Sequence, residues 1–285
     1  MNGERLTDFI KDFARHRGAE MVGVSPVERL KNAPEGHGPS DIHGGARSVI
    51  SIALSIPRGV IHANSLAQSR GNRFYQYIYL THGYRAMNNR LDQIAFETTS
   101  QLEGMGYVST PIPASAPSSG KHLRGVFSHR HAAVAAGLGE FGWNALFMAP
   151  GRGPWVRLVT VITEADLAPD PMYQGEKLCD FPDCRVCVAV CPMEAIPEEE
   201  DVEVEIGGRV FRYASLNKWR CRMAVTLAPP RLRWEEDRDL EIPVNPSPDD
   251  FLEVLKKSSR WSRFDSIGSM CGRCLVECPL GKRKA

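Results

Sequence analysis

Four of the chain's eight cysteines fall between Cys179 and Cys191, and Pro192 follows the last of them. Cys184, Cys187, Cys191 and Pro192 spell C-x2-C-x3-C-P; Cys271, Cys274, Cys278 and Pro279 spell it again. Cys179 and Cys221 complete the set. Thiols this close in sequence can wrap a metal centre within one short loop. Zinc accepts four-cysteine sites built from C-x2-C pairs, but the x3-C-P extension has no role in a zinc ribbon. Inert buried cysteines would not need the spacing at all. In a reducing compartment such cysteines serve metal binding or redox chemistry rather than disulfides.

The repeated run resembles that of bacterial ferredoxins, in which the last cysteine crosses over to the other cluster of a pair. Two 4Fe-4S clusters need eight thiolates, the number this chain carries. By that analogy Cys179, Cys184, Cys187 and Cys278 hold one cluster, and Cys191, Cys221, Cys271 and Cys274 the other. Cys179 is the irregular member, because a ferredoxin run would place its first cysteine at position 181, where Phe181 stands. Should Cys179 fail to reach, the first cluster would be a three-iron species or have an open iron.

Electrons held by such clusters need a destination, which the first 165 residues must supply. Their most distinctive segment is FSHRHAAVAAGLGEFGWNALFMAPGRGPWVRLVTVITEADLAPDP, residues 127–171. Gly137, Gly139 and Gly142 permit close backbone approach to a bulky group, or simply tight turns. GLGEFG lacks the glycine spacing of a dinucleotide fingerprint and follows an alanine-rich, helical run rather than a strand, so a Rossmann reading is set aside. Ser128, His129, Arg130 and His131 precede the glycines. Imidazoles can donate protons near neutral pH or bind a cofactor amide or phosphate; a structural histidine is the ordinary alternative.

The elements that must position these residues are legible in part. Leu6, Phe9, Ile10 and Phe13 mark an amphipathic helix over 5–16, and Tyr84, Met87, Leu91, Ile94 and Leu102 mark a longer one over 80–103. ARSVISIALSI (46–56) and VRLVTVIT (156–163) read as buried strands. FYQYIYL (74–80) and Met87 read as core, with an aromatic floor for a planar ligand as the alternative. Past the connector APDPMYQGEK the chain turns to cysteine, short apolar pieces and charged loops, which divides it into 1–168 and 169–285. DVEVEIGGRVFRY (201–213) predicts a hairpin turning at Gly207-Gly208, and Asp249 or Asp250 is expected to cap the helix bearing Phe251, Leu252 and Leu255. A net charge of +1 gives no general case for nucleic acid. No apolar signal or membrane-spanning segment is visible, so a cytoplasmic, membrane-free protein is expected.

AAGLGEFGWNAL, GPWVRLVTVITEADLAPDP, GARSVISIALSIP, the paired cysteine runs and the isolated Cys221 together resemble the corrinoid and iron-sulfur superfamily of epoxyqueuosine reductase and the reductive dehalogenases. The likeness runs from about residue 5 to residue 280. It implies an α/β (α+β) chain: a nitroreductase-like corrinoid-binding domain joined to a two-cluster ferredoxin-like domain. It also implies cobalamin as a cofactor, with the near cluster reducing it and the far cluster fed by an external low-potential donor of ferredoxin or flavodoxin type. The expected function is an iron-sulfur oxidoreductase that reductively transforms a small organic substrate. The alternative is an electron-transfer or corrinoid-activating protein, with a corrinoid protein as its partner and no catalytic cobalamin of its own.

The same resemblance assigns residues. Arg157, in GPWVR, is similar to a dehalogenase arginine beside the substrate, and Tyr107 to a dehalogenase tyrosine that donates a proton; a salt bridge at a strand start is the alternative for Arg157. Trp143 and Asn144 would lie along a corrinoid ring, with core packing and a helix cap as alternatives. Arg47 would contact a corrinoid side chain, against the plainer reading of a solvated arginine. One departure matters: where epoxyqueuosine reductase has an aspartate proton donor in a D-S-A-P-like stretch, this chain reads ASAP, with Ala114 at the acid's place. That change, and the lack of a helical-repeat extension, weigh against transfer RNA as a partner.

Overall fold

The computed structural model describes residues 3–115, 123–233, 235–259 and 270–282. The last two residues of the ASAP stretch and the last three of the terminal GKRKA lie outside that set. The elements in chain order are α1 (Gly3–His16), β1 (Met21–Pro26), α2 (Pro39–Ile42), β2 (Ser48–Ser55), α3 (Arg58–Arg70), α4 (Arg73–Ile78), a π-helical turn (Tyr79–Arg85), α5 (Ala86–Gly104), β3 (Ser109–Ile112) and α6 (His129–Ala135). There follow β4 (Glu140–Phe141), β5 (Phe147–Met148), β6 (Val156–Thr163), α7 (Val186–Ala189), β7 (Asp201–Ile206), β8 (Arg209–Ala214), α8 (Lys218–Leu227), α9 (Pro248–Lys257), α10 (Arg273–Val276) and α11 (Pro279–Lys282).

Four strands form an antiparallel sheet in the order β1-β2-β6-β3. Successive side chains of a strand point to opposite faces, and β2 uses both. Ile50, Ile52 and Leu54 join Leu6, Ile10, Leu91, Ile94 and Leu102 from α1 and α5 on one side. Val49 joins Ala132 to Ala135 of α6, Phe141 and Phe147 on the other. A strand covered on both faces carries apolar residues on both, even when its partners are antiparallel; in SVISIALS only Ser51 interrupts the run from Val49 to Leu54, and it is buried with them. β7 and β8 pair as the expected hairpin across Gly207-Gly208.

Cores on the cysteine side are continuous with this sandwich. Leu275 and Val276 of α10 pack with Ile56, Ile61, Tyr79 and Trp155, and the Trp155 indole N–H donates to the Leu275 carbonyl at 2.8 Å. Two sequence expectations change. The cap of α9 is Ser247, which exchanges hydrogen bonds with Asp250 in a reciprocal box, because only the residue before the first helical turn has its side chain free to meet those amides. The run 74–80 is core only at Gln76, Tyr79 and Leu80; Phe74 and Tyr77 face solvent, since α4 buries a single stripe.

Candidate functional site

Two short helices carry the cysteine runs. Cys187 lies on α7 and Cys274 on α10, each with a cysteine in the loop before it and a Cys-Pro pair after it. Gly272, at φ 60°, makes the left-handed turn between Cys271 and Cys274; a side chain there would press on Asn64 Nδ2 at 3.0 Å. Cys221 arrives on α8. All eight cysteines are free, and the fold gathers them in two fours. Cys187 lies within electrostatic reach of Cys179, Cys278 and Cys184, and Cys278 within reach of Cys179 and Cys184. Cys221 neighbours Cys191; Cys271 neighbours Cys221 and Cys191; Cys274 neighbours all three, and Cys187 as well. The two sets are those of the ferredoxin analogy, with Cys191 and Cys278 exchanged between runs.

Burial pushes the thiols of Cys187 and Cys271 up to about 12 and that of Cys221 to about 11, with the neighbouring sulfurs adding to the effect. Without a cation the fold therefore keeps these groups as thiols; a bound cation would displace their protons. Backbone amides already point at several sulfurs. Ala195 N–H donates to Cys191 Sγ at 3.2 Å and Trp143 N–H to Cys179 Sγ at 3.4 Å. Amides so placed stabilise negative charge on sulfur and tune a cluster's potential. Among the described residues, no three His, Cys, Asp or Glu side chains converge tightly enough to cage a single metal ion. A four-iron cluster is wider than an ion and spreads its thiolates correspondingly.

A second polar group lies close to the Cys271 and Cys274 side. Arg157, near the start of β6, donates from Nε and Nη2 to Asn88 Oδ1 at 3.0 and 2.8 Å, and its guanidinium sits 4.5 Å from the centre of the Tyr84 ring. The Tyr84 hydroxyl bonds Ser115 Oγ, and Asp92 Oδ1 accepts the Ala114 N–H at 2.7 Å. Tyr84, Asn88 and Asp92 are spaced four apart along the π turn and α5, and so share one face. His129 completes the group: its Nε2 donates to the Pro113 carbonyl at 2.9 Å, and its Nδ1 accepts from the Thr160 hydroxyl at 2.8 Å. Burial, with Arg157 contributing, pulls its pKa down, so the ring is neutral with both nitrogens engaged.

Tyr79 links the two groups. It is buried and within reach of Arg157, Tyr84, Cys271 and Cys274, and burial pushes its phenol up to about 12. Nearby, α3 and α4 bury polar atoms without partners: Asn64 Oδ1, Gln68 Nε2 and Gln76 Nε2. Asn64 spends its Nδ2 on the Cys271 carbonyl at 3.3 Å. Such orphans suit a ligand rich in amides, because an unmet buried polar atom is costly.

Other sequence candidates fall elsewhere. Tyr107 packs against the α1–α5 core, just ahead of Ser109, which pairs with Thr163; Arg157 lies six residues away at the opposite end of β6, roughly 20 Å along a strand. The antiparallel course of β3 thus removes Tyr107 from Arg157. His131 points to the α6 side, bonding Ser128 Oγ at 2.6 Å through Nδ1 and the Tyr213 hydroxyl at 3.3 Å through Nε2. Burial pulls it down to about 4. Arg130 holds the β4–β5 turn through the Ala145 carbonyl. Arg47 is exposed and paired with Asp166 at 2.9 Å. The three glycines are explained by protein packing: a Cβ at Gly137 or Gly139 would lie 2.0 Å from the carbonyl oxygen of Pro171 or Met148, and one at Gly142 1.9 Å from Met148 Cε. Trp143 and Asn144 occupy the β4–β5 turn rather than a helix cap. Asn144 Nδ2 donates to the Cys274 carbonyl at 3.4 Å, and Trp143 stacks on Phe181.

Fold and site together define a mixed α/β protein in which two groups of four free cysteines lie beside a partly buried polar cluster around Arg157. No family model matches the sequence. The chain is homologous to two kinds of reductase. It is 42% identical over 74 residues to tetrachloroethene reductive dehalogenase of Desulfitobacterium hafniense, covering 25% of this chain and 13% of that protein. It is 25% identical over 219 residues to epoxyqueuosine reductase of Staphylococcus aureus, covering 69% of this chain and 53% of that protein. Among solved structures, an epoxyqueuosine reductase bound to a modified tRNA stem loop matches with a TM-score of 0.55 at 17% identity, over 98% of this chain and 66% of that one. A catabolic reductive dehalogenase in complex with 3-bromo-4-hydroxybenzoic acid matches with a TM-score of 0.57 at 15% identity, over 96% and 36%. No helix among the described residues is long and apolar enough to cross a membrane.

Proposed function

We propose that the chain is an iron-sulfur oxidoreductase with two 4Fe-4S clusters and a cobalamin, acting on a small organic substrate. The observation that carries this reading is the gathering of eight free thiols into two crossed fours, one of them joined through Tyr79 to the Arg157 cluster. Residues 169–285 then form the electron-delivering unit and 1–168 the corrinoid and substrate unit. Asn64, Gln68 and Gln76, with their unpartnered buried atoms, would meet the amide side chains of the corrinoid. Cobalamin, when bound, supplies a strongly reducing metal centre able to cleave carbon–halogen or carbon–oxygen bonds.

The chain's own residues do the rest. Arg157, fixed by Asn88 and the Tyr84 ring, presents positive charge for an anionic substrate group or a departing anion. Tyr84 offers an O–H where Ala114 cannot, with Ser115 within hydrogen-bonding reach as a relay. His129 stays neutral and holds the 113–115 segment against β6. A low-potential external donor and a cytoplasmic location belong to this reading. The matched epoxyqueuosine reductase was solved with a tRNA stem loop, whereas Ala114 departs from that chemistry here.

Anaerobic addition of hydroxocobalamin to the iron-loaded protein, followed by one-electron reduction of the cobalt from Co(III) to Co(II) with a chemical reductant, tests the proposal. A stoichiometric complex whose electron-paramagnetic spectrum is that of base-off cobalt is expected. Full iron loading with no cobalamin binding would reduce the chain to an electron-transfer protein.

A further inference from the structure

Phe181 stands where a regular run would have its first ligand, and it is engaged in a specific contact. Its ring stacks on the Trp143 indole with centroids 3.8 Å apart and planes 2° from parallel. Trp143 is itself fixed on three sides: Nε1–H donates to the Pro197 carbonyl at 2.8 Å, its carbonyl accepts Ala214 N–H at 2.9 Å, and its own N–H donates to Cys179 Sγ at 3.4 Å. The indole is buried among Cys179, Cys187, Cys191 and Cys274. A residue two positions out of register can reach a common centre only if its loop is held in one conformation. Here the stack holds the loop and the amide holds the sulfur.

We infer that Trp143 and Phe181 are positioning residues that compensate for the displaced cysteine, making Cys179 the fourth ligand of the first cluster. The inference rests on the two-cluster reading above. It ties that cluster's completeness to the β4–β5 turn of the other unit: loss of the aromatic face at Trp143, which is no ligand, alters the iron centre. The Trp143 N–H also leaves Cys179 with one hydrogen bond that stabilises thiolate, so the same contact bears on the cluster's potential.

The test compares wild type, Cys179→Ser, Phe181→Leu, Trp143→Phe and Trp143→Leu by iron and sulfide content and by electron-paramagnetic spectra of oxidised and reduced protein prepared without oxygen. Cys179→Ser is expected to lose about one iron per chain and to show a three-iron signal when oxidised, the second cluster being unchanged. Phe181→Leu keeps apolar volume but loses the stack, and is expected to show the same signal in part of the molecules. Trp143→Phe retains both an aromatic face and the backbone N–H and should keep the wild-type spectrum, whereas Trp143→Leu removes the face and should behave like Phe181→Leu. Unchanged iron and spectra in Cys179→Ser overturn the inference. A three-iron signal in Cys179→Ser with wild-type behaviour in Phe181→Leu overturns the positioning role. If Cys179→Ser yields no soluble protein, Phe181→Leu decides alone: the partial three-iron signal upholds the inference and its absence overturns it. Wild type lacking two clusters would instead sink the underlying reading.

Discussion

At the scale of single residues, the groups beside Arg157 have partners that only the three-dimensional fold brings to them. Tyr84→Phe keeps the ring beneath Arg157 and removes the hydroxyl that meets Ser115. Thermal unfolding should shift by no more than about 1 kcal/mol, while turnover of a reducible substrate should fall roughly a hundredfold or more if that hydroxyl delivers the proton. Equal losses in both would make Tyr84 merely structural. His131 gives a pH prediction. Its folded pKa, depressed to about 4 by burial, lies below the ordinary value of 6.5, so the unfolded chain binds the proton first as pH falls. Its stabilising effect is full above pH 6.5 and is lost as pH drops from 6.5 toward 4, on the order of 3 kcal/mol in all. Chemical denaturation across that range should show the slope, and His131→Gln should flatten it. The cysteines were legible in the sequence because their spacing is local. Tyr84, Asn88 and Asp92 were not, because Tyr84 fits the apolar rhythm of its helix and only its placement beside Arg157 reveals the polar stripe; the four-residue spacing of the three was the available signal.

Elements explain why the glycine-rich segment looks as it does. Gly139→Ala would drive a Cβ to 2.0 Å from the Met148 carbonyl oxygen, a backbone atom with little room to retreat, and should destabilise the fold by about 1–3 kcal/mol. Gly104→Ala, where a Cβ meets nothing within 4 Å, is the control. It should be neutral or slightly stabilising, as alanine is the better helix former, and equal effects of the two changes in a thermal melt would contradict the packing explanation. The burial of β2 and β6 was readable from their Val and Ile content, and the β7–β8 hairpin from its Gly-Gly turn. The sequence leaves two roles open where both suit one residue type. Glycines suited to a cofactor are equally suited to crossing strands, and only the positions of Pro171 and Met148 decide between them. Tyr107 and Arg157 lie apart because of the direction of β3, a tertiary fact that periodicity does not contain.

For the whole molecule, the two halves divided by composition near residue 168 are packed into continuous cores. Trp155 of the first half fills the space beside Gly281, where a Cβ would lie 2.5 Å from the indole, and bonds the Leu275 carbonyl between two cysteines of the second run. The thiol groups are therefore held against the Arg157 cluster by packing as well as by the chain connection. In the function we propose, the eight cysteines hold two four-iron clusters close enough to interact. Electron-paramagnetic resonance of the anaerobically prepared, fully reduced chain, with iron counted on the same sample, tests it most directly. The account predicts about eight irons per chain and a spectrum broadened by coupling between two reduced clusters. A count of four or fewer, or zinc in place of iron, would contradict it.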